Sequence, residues 1–414
     1  MNQPPQILPS VSLPKAANRD DTPSDKSGGE NVAFCDSIFA KAFQAGASDI
    51  HFEPFEQAFR VRIRVDGSLS QIAAGPASDY PQISSRVKIL SELDISERRR
   101  PQEGRLRLVI DGRSVDYRVS SVPTRFGEKI VLRVVDATGL NSDLTKLGMN
   151  AKEAQVMATA SEQQYGMCLV TGPTGSGKTT TLYSAINRLN QMERNVTTIE
   201  DPVEFNVFGI TQVNVRRDLD MDFPQVLRLL LRQDPDVILV GEIRDTETAK
   251  TSFQAAMTGH MVLSTLHTND TVTAIARLRD MGIEPFLITA ALKVVVAQRL
   301  ARRICQHCRA PVNVSAAQLK SLGISPAQAE KASFHRGRGC TKCNGSGCRG
   351  RVAIFEMLTL SEKLHDMIFE NASVDAIRQQ AVKEGMRTLR VSALSKAFQG
   401  IITIEEASLF SGRS

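Results

Sequence analysis

A glycine-rich loop between a strand and a helix is the feature that most constrains this chain. Residues 172–180 read GPTGSGKTT and fit the pattern G-x-x-x-x-G-K-[ST]. The run 167–171 before the loop predicts a buried strand, and Leu182, Ile186 and Leu189 recur after it at helical spacing. Strand, loop and helix form the setting in which backbone N–H groups and a helix N-terminus hold phosphate. The chain is therefore predicted to contain a nucleotide-binding α/β domain.

The loop residues have distinct predicted roles in holding ATP. The predicted nucleotide contacts are Gly172, Pro173, Thr174, Gly175, Ser176, Gly177, Lys178, Thr179 and Thr180. The glycines let backbone N–H groups turn towards phosphate oxygens without a side-chain clash. Lys178 supplies a positive charge to the β- and γ-phosphates, and the Thr179 hydroxyl is predicted to bind Mg²⁺. The alternative is a glycine-rich turn that matches by chance, and both flanking elements count against it.

The composition fits a globular chain of two or three domains. Of the 414 residues, 42% are hydrophobic and 23% are charged, with no tryptophan and only 5% aromatic residues. Few aromatic side chains leave little surface on which bases could stack, so the sequence does not favour nucleic acid as a partner. The net charge of +6 is spread along the chain and could face nucleotide, acidic lipid or an acidic partner.

Targeting signals are not evident in the sequence. No apolar run approaches the roughly 20 residues of a membrane span, and the first residues lack the pattern of a signal peptide. We therefore expect a cytoplasmic chain. Its seven cysteines fit that location if they bind metal or stay reduced.

The patterns divide the chain into six segments and predict an α/β fold class. Residues 1–30 are rich in Pro, Ser, Asp and Gly, which predicts a disordered tail or, alternatively, a docking peptide. Residues 31–137 predict a small α+β domain, with a helix from Phe34 and hairpins at Asp66-Gly67 and Asp111-Gly112. The remaining segments are a linker, a RecA-like P-loop core, a cysteine-rich zinc-binding subdomain and a helical C-terminal region, at residues 138–148, 149–304, 305–351 and 352–414.

The predicted core places its polar clusters at one edge of a sheet. Apolar segments that predict parallel strands cover residues 168–171, 197–200, 237–240 and 261–265. Ligands of such sheets bind at the carboxyl ends of the strands. The glycine loop follows the first strand, and the clusters that follow the others are residues 201–204, 241–245 and 266–270. This coincidence predicts one active site.

Acidic residues in these clusters are candidates for catalysis. The run 237–242 resembles a Walker B strand, but Gly241 stands where many P-loop enzymes carry an Asp linked to Mg²⁺. We expect Glu204, or Asp201 beside it, to contact Mg²⁺ mostly through water. Glu242 is predicted to orient or deprotonate the attacking water. The alternative is that these acids cap helices or pair with arginines.

Two histidines lie in the same region. His267 follows an apolar strand and is a candidate sensor of the γ-phosphate, although a structural role is an equal alternative. His260 follows Gly259 and is the weaker candidate, because this pair also fits a turn into the strand.

Four cysteines near the C-terminus predict a metal site. Cys305 and Cys308 form one C-x-x-C pair, Cys340 and Cys343 form another, and 31 residues lie between the two pairs. Four thiolates suit structural zinc, and a redox pair or free thiols are the alternatives. Cys348 is a spare in this scheme, whereas Cys35 and Cys168 are expected to be packed cysteines. Basic residues near the second pair predict a surface for acidic lipid or a partner, or else a solvated face: Arg336, Arg338, Lys342, Arg349 and Arg351.

Taken in order, these motifs resemble the type II secretion and type IV pilus assembly ATPases. The resemblance runs from residues 49–54 (DIHFEP) to beyond Arg351. It includes the phosphate loop, the acidic box at 198–204 and the run 232–236 (RQDPD) that leads to Glu242. It continues through the histidine box at 258–270 and the four cysteines. In this family the Walker B glycine is itself a common trait.

The resemblance implies more than the residues show by themselves. It implies a PAS-like N-terminal domain whose arginines reach the nucleotide, and the matching positions are Arg118 and Arg133. It further implies a homohexamer on the cytoplasmic side of the bacterial inner membrane, driving a membrane-bound platform protein. Relatives often carry a further domain that docks on a cytoplasmic adaptor. Only about thirty polar residues precede the first domain here, so that docking domain is not evident.

Three other functions fit parts of the sequence. A pilus-retraction motor shares the core, but such relatives generally lack the four cysteines. A RecA-like motor for DNA uptake or transport is disfavoured by the low aromatic content and the lack of a basic stripe. A scaffold that binds ATP without turnover is disfavoured by Lys178 and the acids.

Overall fold

The computed structural model describes residues 11–12, 26–135 and 143–410, with side chains from residue 31 onwards. The chain divides into two compact units, Met1–Ala137 and Thr138–Ser414. None of the described helices combines the length and the apolar character needed to cross a membrane.

Unit 1 is an antiparallel sheet with two helices on one face. Its elements are β1 (Val11–Ser12), α1 (Lys26–Ala45), β2 (Asp49–Pro54), β3 (Ala58–Val65), β4 (Ser68–Pro76), α2 (Tyr80–Leu90), β5 (Gln102–Ile110), β6 (Arg113–Thr124) and β7 (Gly127–Val135). The strand order is β1-β5-β6-β7-β2-β3-β4. Side chains such as Phe39, Val87 and Phe52 pack between the helices and the sheet. Charged side chains alternate with these apolar ones and occupy the other face.

The hairpins of unit 1 confirm the turn predictions. Asp66 and Gly67 have φ values of 49° and 87°, and Asp111 and Gly112 have values of 51° and 73°. A two-residue turn with both central residues at positive φ matches the twist of the flanking strands, which explains the Asp-Gly pairs.

The first predicted boundary differs from the structure. Helix α1 begins at Lys26, and Val11–Ser12 pairs with β5, so one strand and the start of a helix lie within the predicted tail of residues 1–30. The rest of that prediction lies outside the described residues.

Unit 2 is built on a seven-stranded sheet. Up to its middle the elements are α3 (Ala151–Ser161), β8 (Gly166–Thr171), α4 (Lys178–Leu189), β9 (Val196–Glu200), β10 (Thr211–Asn214), α5 (Phe223–Leu230), β11 (Val237–Val240), α6 (Thr246–Met257), β12 (Met261–Leu266), α7 (Thr271–Asp280) and α8 (Pro285–Ala291). They continue as β13 (Leu292–Ile304), β14 (Arg309–Pro311), α9 (Ala316–Ser321), α10 (Pro326–Glu330), β15 (His335–Gly337), β16 (Cys348–Thr359), α11 (Glu362–Phe369), α12 (Val374–Lys383), α13 (Leu389–Phe398) and α14 (Ile404–Ser408).

The order of the large sheet is β10-β9-β11-β12-β8-β13-β16. All neighbours are parallel except β13 and β16, which are antiparallel. Strands β8, β9, β11 and β12 confirm the predicted parallel strands. Their residues are buried on both faces, as the near-continuous apolar runs indicate.

Two segments of unit 2 differ from their predictions. Residues 352–359, predicted to be helical, belong to β16, because this apolar run completes the ladder with β13. The predicted boundary at residue 351 therefore falls inside a strand. Of the predicted linker, residues 138–142 lie outside the described part of the chain. The remainder includes a 3₁₀ turn at Leu144–Leu147, and Leu144 is buried in the core.

Candidate active site

The phosphate loop joins β8 to α4, and close contacts require glycine at two of its positions. Gly172 has φ 148°, and a Cβ there would lie 2.3 Å from the backbone oxygen of Gln298. Gly177 has φ 87° at the start of α4, and its Cβ would lie 2.8 Å from the Gln298 Nε2. Gln298 itself is buried and accepts a hydrogen bond from the Thr181 hydroxyl at 2.7 Å. Sequence reasoning missed Gln298, because it lies in β13, far along the chain from the loop.

Lys178 and its neighbours are placed to meet phosphate. The Lys178 Nζ donates to the backbone oxygens of Gly172 and Pro173, at 2.9 and 3.2 Å. Burial lowers the pKa of Lys178, and the nearby charge of Glu242 acts in the opposite direction. The Ser176 hydroxyl is buried and has no hydrogen-bond partner among the described residues. Thr179 is exposed in the first turn of α4, so its hydroxyl is open to a metal ion.

Glu242 and His267 meet at the carboxyl ends of adjacent strands. Glu242 follows β11, His267 follows β12, and the two strands are paired. The His267 Nε2 lies 3.3 Å from one carboxylate oxygen of Glu242, and Arg244 lies 2.6 Å from the other. The Glu242 side chain is 12% exposed, which leaves it accessible to a water molecule. The alternative expected from the sequence, an acid paired with an arginine, is therefore also met, because Arg244 contacts one of the two Glu242 oxygens.

A pair of threonines holds the segment around His267. The Thr268 N–H donates to the Thr171 hydroxyl at 2.9 Å, and their hydroxyl oxygens lie 2.7 Å apart. Thr171 is the last residue of β8, immediately before the loop. His267 is therefore attached to the phosphate loop through its neighbour. His260, by contrast, lies with Nδ1 3.1 Å from the Ala255 oxygen at the end of α6, which is a structural contact.

The acidic box at the end of β9 contains one buried and two exposed carboxylates. Glu204 is exposed, and Asp201 is paired with Arg217 at 3.2 Å, as the arginine-pairing alternative predicts. Glu200 was not predicted as a site residue. It is buried, and it accepts hydrogen bonds from Tyr183 and Thr198, both at 2.6 Å.

The environment of Glu200 differs from that of an exposed acid. Burial raises its pKa, hydrogen bonds from Thr198 and Tyr183 act in the opposite direction, and the nearby Glu204 adds to the rise. The two carboxylates are thus close enough to interact. Position at the carboxyl end of a buried strand is the sequence signal that could have identified Glu200.

The structure brings the four predicted metal cysteines together. Their sulfur atoms all lie within 4.8 Å of one another. The sulfur atoms of Cys305 and Cys340 are 3.8 Å apart, those of Cys308 and Cys343 3.8 Å, and those of Cys340 and Cys343 3.7 Å. A tetrahedron with Zn–S bonds of about 2.3 Å has edges of about 3.8 Å. The donor set therefore fits zinc in both chemistry and geometry.

Backbone groups favour the thiolate form of one cysteine in this cluster, Cys343, whereas burial raises the pKa of another, Cys308. Burial alone would raise the pKa of Cys343, but N–H groups of Cys340 and Gly347 help to lower it to about 6. The five basic residues near the second pair are all exposed. Cys35 and Cys168 are buried, and burial raises the pKa of each to about 12, as expected for packed cysteines.

Arg118 and Arg133 lie directly opposite each other on β6 and β7 of unit 1. Arg133 Nε donates to Asp49 at 2.8 Å, and Arg118 lies 3.5 Å from Glu103. Asp49 is 5% exposed; burial raises its pKa, but the hydrogen bonds from Arg133 and Ser48 lower it overall. Both arginines belong to unit 1, whereas the loop, Glu242 and His267 belong to unit 2.

Comparison with known proteins places this architecture in a family. The profile of the family described as "Type II/IV secretion system protein" matches residues 25–409. The type IV pilus assembly ATPase PilB of Myxococcus xanthus is 48% identical over 377 residues, which cover 91% of this chain and 67% of that protein. The type II secretion system ATPase E of Vibrio cholerae is 44% identical over 375 residues, covering 91% and 74%.

Solved structures agree with this assignment. The pilus retraction motor PilT, with bound ADP, is 27% identical and has a TM-score of 0.63, covering 91% of this chain and 96% of that one. The ATPase DotB of Legionella pneumophila has a TM-score of 0.68 at 22% identity, covering 92% and 95%, which shows a shared fold. With its phosphate loop, its paired Glu242 and His267 and these relatives, the chain belongs to the type II/IV secretion system protein family, among the ATPases of that family.

Proposed function

We propose that this ATPase works as a homohexameric motor for type IV pilus assembly or type II protein secretion. In this proposal, Mg²⁺-dependent hydrolysis of ATP drives an inner-membrane platform protein from the cytoplasmic side. The names of the relatives at 44–48% identity support the pathway. The single observation that carries the chemistry is the placement of Glu242 and His267 beside Lys178, at one edge of a parallel sheet.

In this proposal the phosphate loop binds ATP, and the acidic residues take part in its hydrolysis. Lys178 has a lowered pKa because of burial, so its ammonium group gains from exchanging backbone oxygens for phosphate oxygens. Thr179 and Glu204 would hold Mg²⁺, Glu204 through water, since Mg²⁺ keeps several water ligands. A bound Mg²⁺ ion would neutralise negative charge on the phosphates.

Glu242 is the proposed base. Its carboxylate has one oxygen held by Arg244, and the other lies at the longer distance of 3.3 Å from His267. That second oxygen is available to accept a proton from water, because a contact of this length is weak. His267 would then be free to donate from its ring to the γ-phosphate. In this proposal Glu242 accepts the proton of the attacking water, and His267 donates to the γ-phosphate in the same step.

Two further elements complete the proposal. Arg118 and Arg133 would contact phosphate as arginine fingers. To do so they would leave their acidic partners, Glu103 and Asp49 respectively. Zinc held by the four cysteines would be structural, because a closed set of four thiolates leaves no open coordination position. The presence of all four cysteines favours assembly or secretion over retraction.

Steady-state ATP hydrolysis with Mg²⁺ tests the assignment of Glu242. We expect Glu242→Gln to abolish most of the activity, because the amide cannot accept the proton. Glu284→Gln is the matched control, since Glu284 is exposed and its side chain makes no cap to α8. Full hydrolysis by Glu242→Gln would remove the catalytic role, and equal loss in both variants would point to a general effect on the fold.

A further inference from the structure

A cavity of about 320 Å³ in unit 2 is lined by none of the proposed nucleotide or catalytic residues. Its walls come from the start of α3, the end of β13, the edge strand β16, helix α13 and the segments beside them. Met149, Val352, Phe355 and Ile401 supply an apolar part. The volume is at the lower end of the range for small-molecule sites.

The polar part of this cavity is strongly basic. Lys146, Arg303, Arg387 and Lys396 line it, and Glu153 is the one acidic residue among the lining side chains. The side chains of Lys146, Arg303 and Arg387 form no hydrogen bond or ion pair with any residue that the structure describes. Glu153 is already engaged, because its carboxylate caps α3 by accepting from the Asn150 N–H at 2.8 Å. The lining side chains therefore carry four positive charges against one negative charge, and Asp143 near Lys146 in the chain offsets only part of this excess.

Two deeper groups add unmet hydrogen-bonding capacity. The Ser392 hydroxyl is buried, with the residue 5% exposed, and it has no partner among the described residues. Lys396 Nζ donates to the Gly148 oxygen at 2.6 Å, which uses one of its three protons. Burial lowers the pKa of Lys396, Glu153 acts in the opposite direction, and Arg387 lowers it further. The Ser392 hydroxyl is a buried polar group without a partner, which is costly. Lys146, Arg303 and Arg387 are exposed, and their charges together with this hydroxyl suit the cavity to an anion that enters from solvent.

We propose that this cavity binds a small phosphate-bearing molecule. Its phosphate would be held by Arg303, Arg387 and Lys396 and would accept a hydrogen bond from Ser392. The apolar wall would contact an organic portion, if the ligand carries one. A molecule bound there would contact both helix α13 and the segment around Gly148, near the beginning of unit 2. This site is separate from the proposed ATP site, so its failure would leave the proposed ATPase function untouched.

Calorimetric titration of the full chain tests the site with two probes, pyrophosphate and AMP. The titrations are made in the Lys178→Ala background, which weakens phosphate binding at the loop. We expect binding to persist in this background. Tighter binding of AMP would identify an organic phosphate as the ligand class, and tighter binding of pyrophosphate would identify an inorganic one. Binding of neither probe would overturn the proposal.

Charge changes in the cavity give the decisive comparison. Arg303→Gln and Arg387→Gln should each weaken binding by roughly fivefold to tenfold, the effect of one partly screened charge at contact distance. Glu153→Gln should strengthen binding by a similar factor, and it keeps the α3 cap because Gln also suits that position. Lys383→Gln, a change of an exposed lysine on α12, is the matched control and should have no effect. An unfolded variant cannot bind more tightly, so unchanged affinity in Glu153→Gln together with unchanged affinity in both arginine variants would refute the site.

Discussion

The two loop glycines Gly172 and Gly175 should respond very differently to the same substitution. Both have positive φ, 148° and 77°, so alanine is strained at either position, by about 1–2 kcal/mol. A Cβ at Gly175 meets no atom within 4 Å, whereas a Cβ at Gly172 lies 2.3 Å from the Gln298 oxygen and 2.7 Å from the Ser176 hydroxyl. The first of these contacts is about 1 Å shorter than a close carbon–oxygen contact of roughly 3.3 Å.

The contact at Gly172 can be relieved only by moving the loop or β13. Overpacking of this kind costs about 1–3 kcal/mol beyond the strain common to both variants. A loop displaced in this way must return to the position that holds phosphate before ATP binds, so the cost falls on binding. Because 1.4 kcal/mol corresponds to tenfold in affinity, Gly172→Ala should bind ATP about 5- to 150-fold more weakly than Gly175→Ala.

Displacement of a fluorescent ATP analogue, with thermal unfolding of each variant as a check on folding, measures this difference. A Gly175→Ala variant that binds as weakly as Gly172→Ala would refute the reasoning, since the structure gives the two positions different neighbours.

Other predictions test the remaining parts of the structure. Lys88→Met should destabilise the chain by about 3–5 kcal/mol in denaturant unfolding, because it leaves the buried Glu128 without its 2.7 Å partner. Adding Glu128→Gln should recover only part of this loss, because Met cannot replace the hydrogen bond from Lys88 to the Glu97 oxygen; no loss in the single variant would contradict the account. Cys343→Ser should lower the bound zinc, measured by elemental analysis, from about one per chain to a small fraction, and zinc that stays at the original level would argue against the cysteine site. Burial raises the pKa of Glu53, but Arg62, Arg60 and Lys129 lower it to about 2 from its ordinary 4.5. The contribution of Glu53 to stability is therefore present above pH 4.5 and is lost as pH falls towards 2. In Glu53→Gln the free energy of unfolding should fall less steeply over this pH range than in the wild type. An unchanged pH dependence would show that another group titrates there.

The sequence was sufficient for the elements whose signal is local. Buried parallel strands appear as apolar runs, Asp-Gly pairs mark the hairpins, and the phosphate loop is recognised by its own spacing. The same holds for the C-x-x-C pairs, although their assembly into a tetrahedral cluster depends on the fold between them.

Non-local features were not predicted. Gln298 packs against the loop because β13 lies beside β8, and nothing in its own neighbourhood indicates this contact. Residues 352–359 of β16 were predicted as part of a helical region, and only pairing with β13 makes them a strand. Glu200 differs from Glu204 by burial, which the sequence of the acidic box at 198–204 does not show.

The central claim is that Glu242 activates water in an ATPase that works as a ring. The most direct measurement is Mg²⁺-dependent ATP hydrolysis as a function of protein concentration, with size-exclusion chromatography and light scattering on the same samples. We predict that specific activity rises with the fraction of hexamer and that Glu242→Gln forms the same hexamer without activity. Hydrolysis by a monomer at full specific activity, or by Glu242→Gln at the wild-type rate, would contradict the account.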